Sequence, residues 1–177
     1  MSNQFLVQYI AAANAANANG QYASAVDWCQ RAIGLSPKLP EAWYNLGLAY
    51  RGLGQLDQAM TALKKTDGLT RDNPDAQNSV GLQLLELGAF REAERCLNRA
   101  LFLAPAFVYA YSNLGMLREV QGRFDEAEAA FRKAIQLQPD LAALYVNLSG
   151  LQNLRKRHEL AEVAARRAID LDPGSCK

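Results

Sequence analysis

One period governs this chain. Blocks of 34 residues beginning at Leu6, Pro40, Pro74, Val108 and Ala142 align without insertion or deletion and span 170 of the 177 residues. The same alanine returns in every block, as Ala25, Ala59, Ala93, Ala127 and Ala161, and so does one leucine, as Leu35, Leu69, Leu103, Leu137 and Leu171. A glycine stands five residues before that alanine in four blocks (Gly20, Gly54, Gly88 and Gly122), and Lys156 takes its place in the fifth. Prolines close four blocks, at Pro37, Pro105, Pro139 and Pro173. A fixed period of this length means one supersecondary unit used repeatedly, each copy burying its apolar face against the next.

Inside a block the apolar spacing is helical. Tyr111, Leu114 and Leu117 recur at steps of three and four, as do Ala127, Phe131, Ala134 and Ile135. Gly122 falls where a first helix would end, Asp125 with Glu128 reads as a capping box for a second, and Pro139 stops that one. Each block is therefore expected to hold two antiparallel helices of about 13 residues, roughly 20 Å long. The recurring alanine fits where two helix axes cross closely, since a larger side chain would push them apart. Strand signals are absent.

These features resemble the tetratricopeptide repeat family: an aromatic, Leu-Gly, an aromatic, then Ala, a large apolar residue, Ala and Pro. Trp43, Leu46, Gly47, Tyr50, Ala59 and Leu63 carry the pattern in the second block, with Thr66 and Arg71 departing from it. In the fourth, Tyr111, Leu114, Gly115, Ala127, Phe131, Ala134 and Pro139 carry it, with Arg118 where an aromatic is usual. The resemblance implies an all-α, right-handed superhelical solenoid of five helix-turn-helix repeats (6–39, 40–73, 74–107, 108–141 and 142–175), a single array over 1–177. Phrases such as AYSNLG and FDEAEAAFRKAIQLQPD are most similar to the repeat arrays of O-linked N-acetylglucosamine transferases and related bacterial repeat proteins.

The residues that do chemistry are scarce. The one histidine, His158, occupies the block position of Tyr22, Leu56, Phe90 and Phe124, which suits a packing ring. No phosphate loop, dinucleotide glycine pattern or paired carboxylates appear. Arg155-Lys156-Arg157 reads as a solvated turn. Three cysteines without close spacing describe neither a disulfide framework nor a zinc site. Cys29 and Cys96 read as buried free thiols and Cys176 lies in the tail, a usage that favours a reducing, cytoplasmic setting. A net charge of +1 gives no bulk attraction for nucleic acid, and no apolar run approaches the roughly 20 residues of a membrane span. The opening FLVQYIAAANAANA lacks the positive start of a signal peptide, with no Lys or Arg before Arg31. The expectation is a non-enzymatic protein that needs no cofactor or metal.

Function is then expected from surface shape. The family resemblance implies that first helices line a concave groove. Positions two, five, six, nine, twelve and thirteen of each block share one helical stripe. From it come the candidate peptide-binding residues Tyr44, Asn45, Leu48, Asn78, Leu82, Tyr109, Asn113, Met116 and Asn147. The stripe's charges are Glu41, Asp75, Glu86 and Glu119 against Arg51, a local sum of −3. Clamps of this family for acidic chaperone tails need cations there. Asn14 and Asn45 match such a clamp, but Ile10, Asp75 and Ser79 hold its basic positions, which excludes that role for the first three blocks. Asn45, Asn113 and Asn147 match the ladder with which the transferase arrays hold a peptide backbone. Either they do so here or they support the neighbouring helices. Three net hydrogen bonds of about 1 kcal/mol fall short of the roughly 8 kcal/mol of a micromolar complex. Apolar burial must supply the rest, so the partner is expected to be an apolar or amphipathic protein segment, neutral to basic. Two alternatives stand beside this interaction scaffold. One is the substrate-recruiting part of a larger enzyme such as a glycosyltransferase; the other is a self-assembling scaffold. Ile169 and Leu171 leave the last repeat apolar, from which weak self-association through that end, or continuation into a longer protein, is expected.

Overall fold

Ten α-helices and no strand make up residues 2–174, the part of the chain that this computed structural model describes; Cys176 lies outside it. Helices α3 (Pro40–Gly52), α5 (Pro74–Glu86), α7 (Val108–Val120) and α9 (Ala142–Leu154) each start at the first residue of a block. Helix α1 (Ser2–Ala18) starts earlier. The second helices, α2 (Tyr22–Leu35), α4 (Leu56–Leu69), α6 (Phe90–Leu103), α8 (Phe124–Leu137) and α10 (His158–Leu171), begin at one block position and end at the recurring leucine. Local rules explain this regularity. Pro40 and Pro74 open their helices, where a missing N–H costs nothing. Gly20, Gly54, Gly88 and Gly122 take φ of +71 to +74° in the interhelical turn, the left-handed conformation that only glycine adopts freely. Lys156 adopts the same conformation at φ +57°, at a cost of about 1–2 kcal/mol. The repeated geometry overrides the preference of that one residue.

One local expectation fails. Helix α8 begins at Phe124, and its N-cap is Arg123, which makes no side-chain cap. Asp125 and Glu128 therefore sit inside the helix and form no capping box. Instead both accept from Arg155, at 2.6 Å and 2.8 Å, tying the start of α8 to the end of α9.

The chain divides into two compact units, residues 1–96 and 97–177, with the boundary inside α6. In the first, α1 packs on α2 and α3 on α4, with α2 also against α3 and α4 against α5. In the second, α7 pairs with α8 and α9 with α10, and α8 packs on α9. The recurring alanine is 0–2% exposed in all five repeats, as a close helix crossing requires. Ala13, Cys29, Leu46 and Ala62 form a core cluster in the first unit, with Trp28, Trp43 and Tyr50 packed around it. Ala127, Phe131 and Leu151 form one in the second, covered by Met116 and Leu148.

Candidate functional site

The first unit carries a cleft of about 700 Å³. Its lining from the first helices falls almost entirely on the stripe: Ile10, Asn14, Asn17 and Ala18 of α1, then Glu41, Tyr44, Asn45, Leu48, Arg51 and Gly52 of α3, then Ser79 of α5. Side chains at these positions share one helical face because three and four residues nearly complete a turn. Tyr22 and Thr66 come from the second helices, and Thr70 caps the end of α4. Reasoning confined to first helices omits these three.

The cleft is rich in uncharged hydrogen-bonding groups. Asn45 is buried; its Nδ2 donates to the Glu41 carbonyl at 3.0 Å, and its own main-chain carbonyl accepts from Asn17 Nδ2 at 3.0 Å. This second bond ties α1 to α3. Asn17 Oδ1 is left buried without a partner. Burial pushes the Tyr44 phenol up, with Arg51 pulling weakly against it, so it stays a neutral hydrogen-bond donor. Arg51 is paired with Glu86 across α3 and α5, which removes one cation and one anion from the stripe. Glu41 is exposed and leaves the mouth of the cleft acidic.

Of the nine candidate residues, Tyr44, Asn45 and Leu48 line this cleft. Asn78 and Leu82 are half-buried on α5 and do not line it. The other four belong to the second unit. Tyr109 is exposed and stacks edge-on with Phe107, Met116 is half-buried, and Asn113 is buried. Asn147 Nδ2 donates to Ser112 Oγ at 3.0 Å, bridging α9 to α7. The asparagines that share one block position are thus used differently. Asn45 faces the cleft and bonds its own helix, while Asn147 joins neighbouring repeats.

Elsewhere the reactive groups are placed unreactively. Cys29 and Cys96 are fully buried, and burial pushes both thiols up to about 12, far from thiolate formation. His158 is exposed at the start of α10, rather than packed as its block position suggests. In the first repeat the equivalent Tyr22 ring lies against Gly52 of the following repeat, where an added Cβ would meet it at 2.5 Å. Leu56 and Phe124, at the same block position, are exposed as well although another repeat follows each. No described helix is long and apolar enough to cross a membrane.

A polar cluster that sequence reasoning missed lies between α4, α5 and α6. Asp67 accepts from Arg95 at 2.6 Å, and Gln77 Nε2 donates to it at 3.2 Å and to Thr70 Oγ1 at 3.4 Å. Gln77 holds the block position of Trp43, Tyr111 and Tyr145, and Asp67 that of Ile33, Ile135 and Ile169. The two departures were visible in the block alignment. Their pairing was not.

Family profiles described as tetratricopeptide repeat match residues 16–81 and 108–141, more than half of the chain. No curated protein matches the sequence significantly. Among solved structures, the MamA 41-end chain from Desulfovibrio magneticus RS-1 is 21% identical with a TM-score of 0.76, over 98% of both chains. Pseudomonas aeruginosa pilF is 20% identical at a TM-score of 0.78, over 96% of this chain and 76% of that one. YrrB, described as a TPR protein with an unusual peptide-binding site, is 24% identical at 0.65, over 94% and 86%.

Proposed function

The chain belongs to the tetratricopeptide repeat family, and from that premise we propose that it is a non-catalytic interaction scaffold that holds a polypeptide segment in the cleft of residues 1–96. The observation that carries this reading is the cleft's composition. Amides of Asn14, Asn17 and Asn45 and the Tyr44 phenol stand around the apolar Ile10, Leu48 and Ala76. Amides offer a donor and an acceptor each, which suits main-chain peptide units. Burial of one or two apolar side chains on Ile10 and Leu48 would add roughly 1.5–3 kcal/mol each. With Arg51 neutralised by Glu86 and Glu41 free at the mouth, the favoured segment is apolar and neutral to basic.

A photo-crosslinking amino acid at Tyr44, in cells that make the full chain, tests this. The expected product is a covalent adduct with a polypeptide, mapped by mass spectrometry to an apolar, neutral-to-basic segment. Gln30, exposed on α2 and lining neither this cleft nor another groove of the first unit, is the control position. An adduct yield at Tyr44 no higher than at Gln30 would refute the proposal.

A further inference from the structure

The second unit carries a different surface, outside the stripe. A groove of about 330 Å³ runs between α9 and α10, lined by Tyr145, Leu148, Leu160, Val163, Arg132 and Arg167, with Ala164 and Gln152 at its base. Tyr145 is held in place by donating its hydroxyl to the Pro139 carbonyl at 2.9 Å. Leu160 and Val163 are 47% and 66% exposed.

Their exposure is not a consequence of standing in the last repeat. The same two positions are Gln58 and Thr61 in repeat 2 and Glu126 and Ala129 in repeat 4. All four are exposed although another repeat follows each of them. A further repeat would therefore leave Leu160 and Val163 open to water. In repeats 1 to 4 the first of these positions is Ser24, Gln58, Glu92 and Glu126, always polar. Repeat 2 has a groove at the same register, lined by Gln58 and Thr61. Only repeat 5 places a large apolar residue, Leu160, at the first of the two positions.

The charges around the groove select its occupant. Arg132 is paired with Glu128 at 2.8 Å, and Arg166, on the neighbouring face of α10, with Glu162 at 2.5 Å. Among the described residues Arg167 has no ion pair, and no acidic residue lines the groove. Its volume is at the lower end of the roughly 300–1,000 Å³ of pockets that hold compact ligands. That suits a short segment more than a second copy, which would have to bury on the order of 1,200–2,000 Å².

We infer that the groove formed by Leu160, Val163, Leu148 and Tyr145 docks a short amphipathic protein segment, whose large apolar side chains enter it and whose carboxylate meets Arg167. This occupant is opposite in charge to the one proposed for the cleft of the first unit.

Panning a phage-displayed library of random dodecapeptides on the full chain tests the inference, followed by anisotropy titrations of the enriched peptides. The expected peptides carry two large apolar residues and an Asp or Glu. Their binding should weaken at least about tenfold in Leu160→Gln/Val163→Thr, which installs the residues of repeat 2 and should keep the fold. In Arg167→Glu, binding should be lost and then return when the peptide acid is changed to Lys. That charge swap decides the matter even if the double variant does not fold. Failure to enrich such peptides, or affinities unchanged in both variants, would overturn the inference. So would sedimentation showing a dimer that the same substitutions dissolve, since the occupant would then be a second copy.

Discussion

At the scale of single residues, the repeat is kept by matched sizes across each helix pair. An added Cβ on Gly47 would meet Leu63 Cγ at 2.9 Å, and one on Gly115 would meet the Phe131 ring at 2.5 Å. In the first repeat the same two positions are Ala13 and Cys29, both fully buried. In the last they are Ser149 and Ala165, and Ser149 has room to donate to the Ala161 carbonyl at 2.9 Å. The small residue grows as its partner shrinks, as close packing demands. Gly115→Ala should therefore destabilise the protein by about 1–3 kcal/mol, because Phe131 is wholly buried and has nowhere to move. Adding Phe131→Leu, the partner found opposite Gly47, should return part of that loss. Thermal melts of the single and double variants check both.

Among the elements, the meeting of α4, α5 and α6 departs furthest from the rest. Burial raises the Asp67 carboxyl, but hydrogen bonds from Arg95 and Gln77 outweigh it and hold the group below its ordinary value of 3.8. A depressed carboxyl contributes stability that is fully present above its unfolded pKa and is lost as pH falls through the folded one. The wild type should therefore lose stability on acidification below roughly pH 4. Asp67→Ile/Gln77→Tyr, which restores the side-chain types of the other repeats, should lose less over the same window. Asp67→Ala alone should be the worst of the three at neutral pH, since it removes the acceptor of Arg95 and of the buried Cys96 thiol and leaves a cavity beside Gln77, whose Oε1 already lacks a donor. Melting temperatures across the acid range would test this order. Equal acid sensitivity of wild type and double variant would remove Asp67 from the account.

For the whole molecule, stability follows from contacts made largely within and between adjacent repeats. Two compact units arise from this, each with its own apolar clusters. A lesion should accordingly be felt nearby first. In Gly115→Ala, amide exchange should accelerate most in α7 to α9 and least in α1 to α3, as measured by mass spectrometry. Uniform acceleration through all ten helices would mean one cooperative unit instead.

What the sequence determined by itself is whatever repeats locally. The 34-residue period places the starts of α3, α5, α7 and α9 at the block boundaries, and the glycines locate the turns. Helical spacing alone also picks out the stripe that supplies Ile10, Tyr44, Asn45 and Leu48 to the cleft. These features depend on φ, ψ and side-chain direction within a few residues, so they are legible along the chain. Partner choice is not. Asn45 and Asn147 share a block position, yet one lines a cleft and the other bonds Ser112, 35 residues away. Asp67 reaches Arg95 across 28 residues, and Asp125, set inside α8 by the helix start at Phe124, reaches Arg155 across 30. Hydrogen-bond partners of this kind are fixed only when packing brings neighbouring repeats to within about 3 Å. Which stripe residues stay open to a ligand was therefore decided by tertiary structure alone.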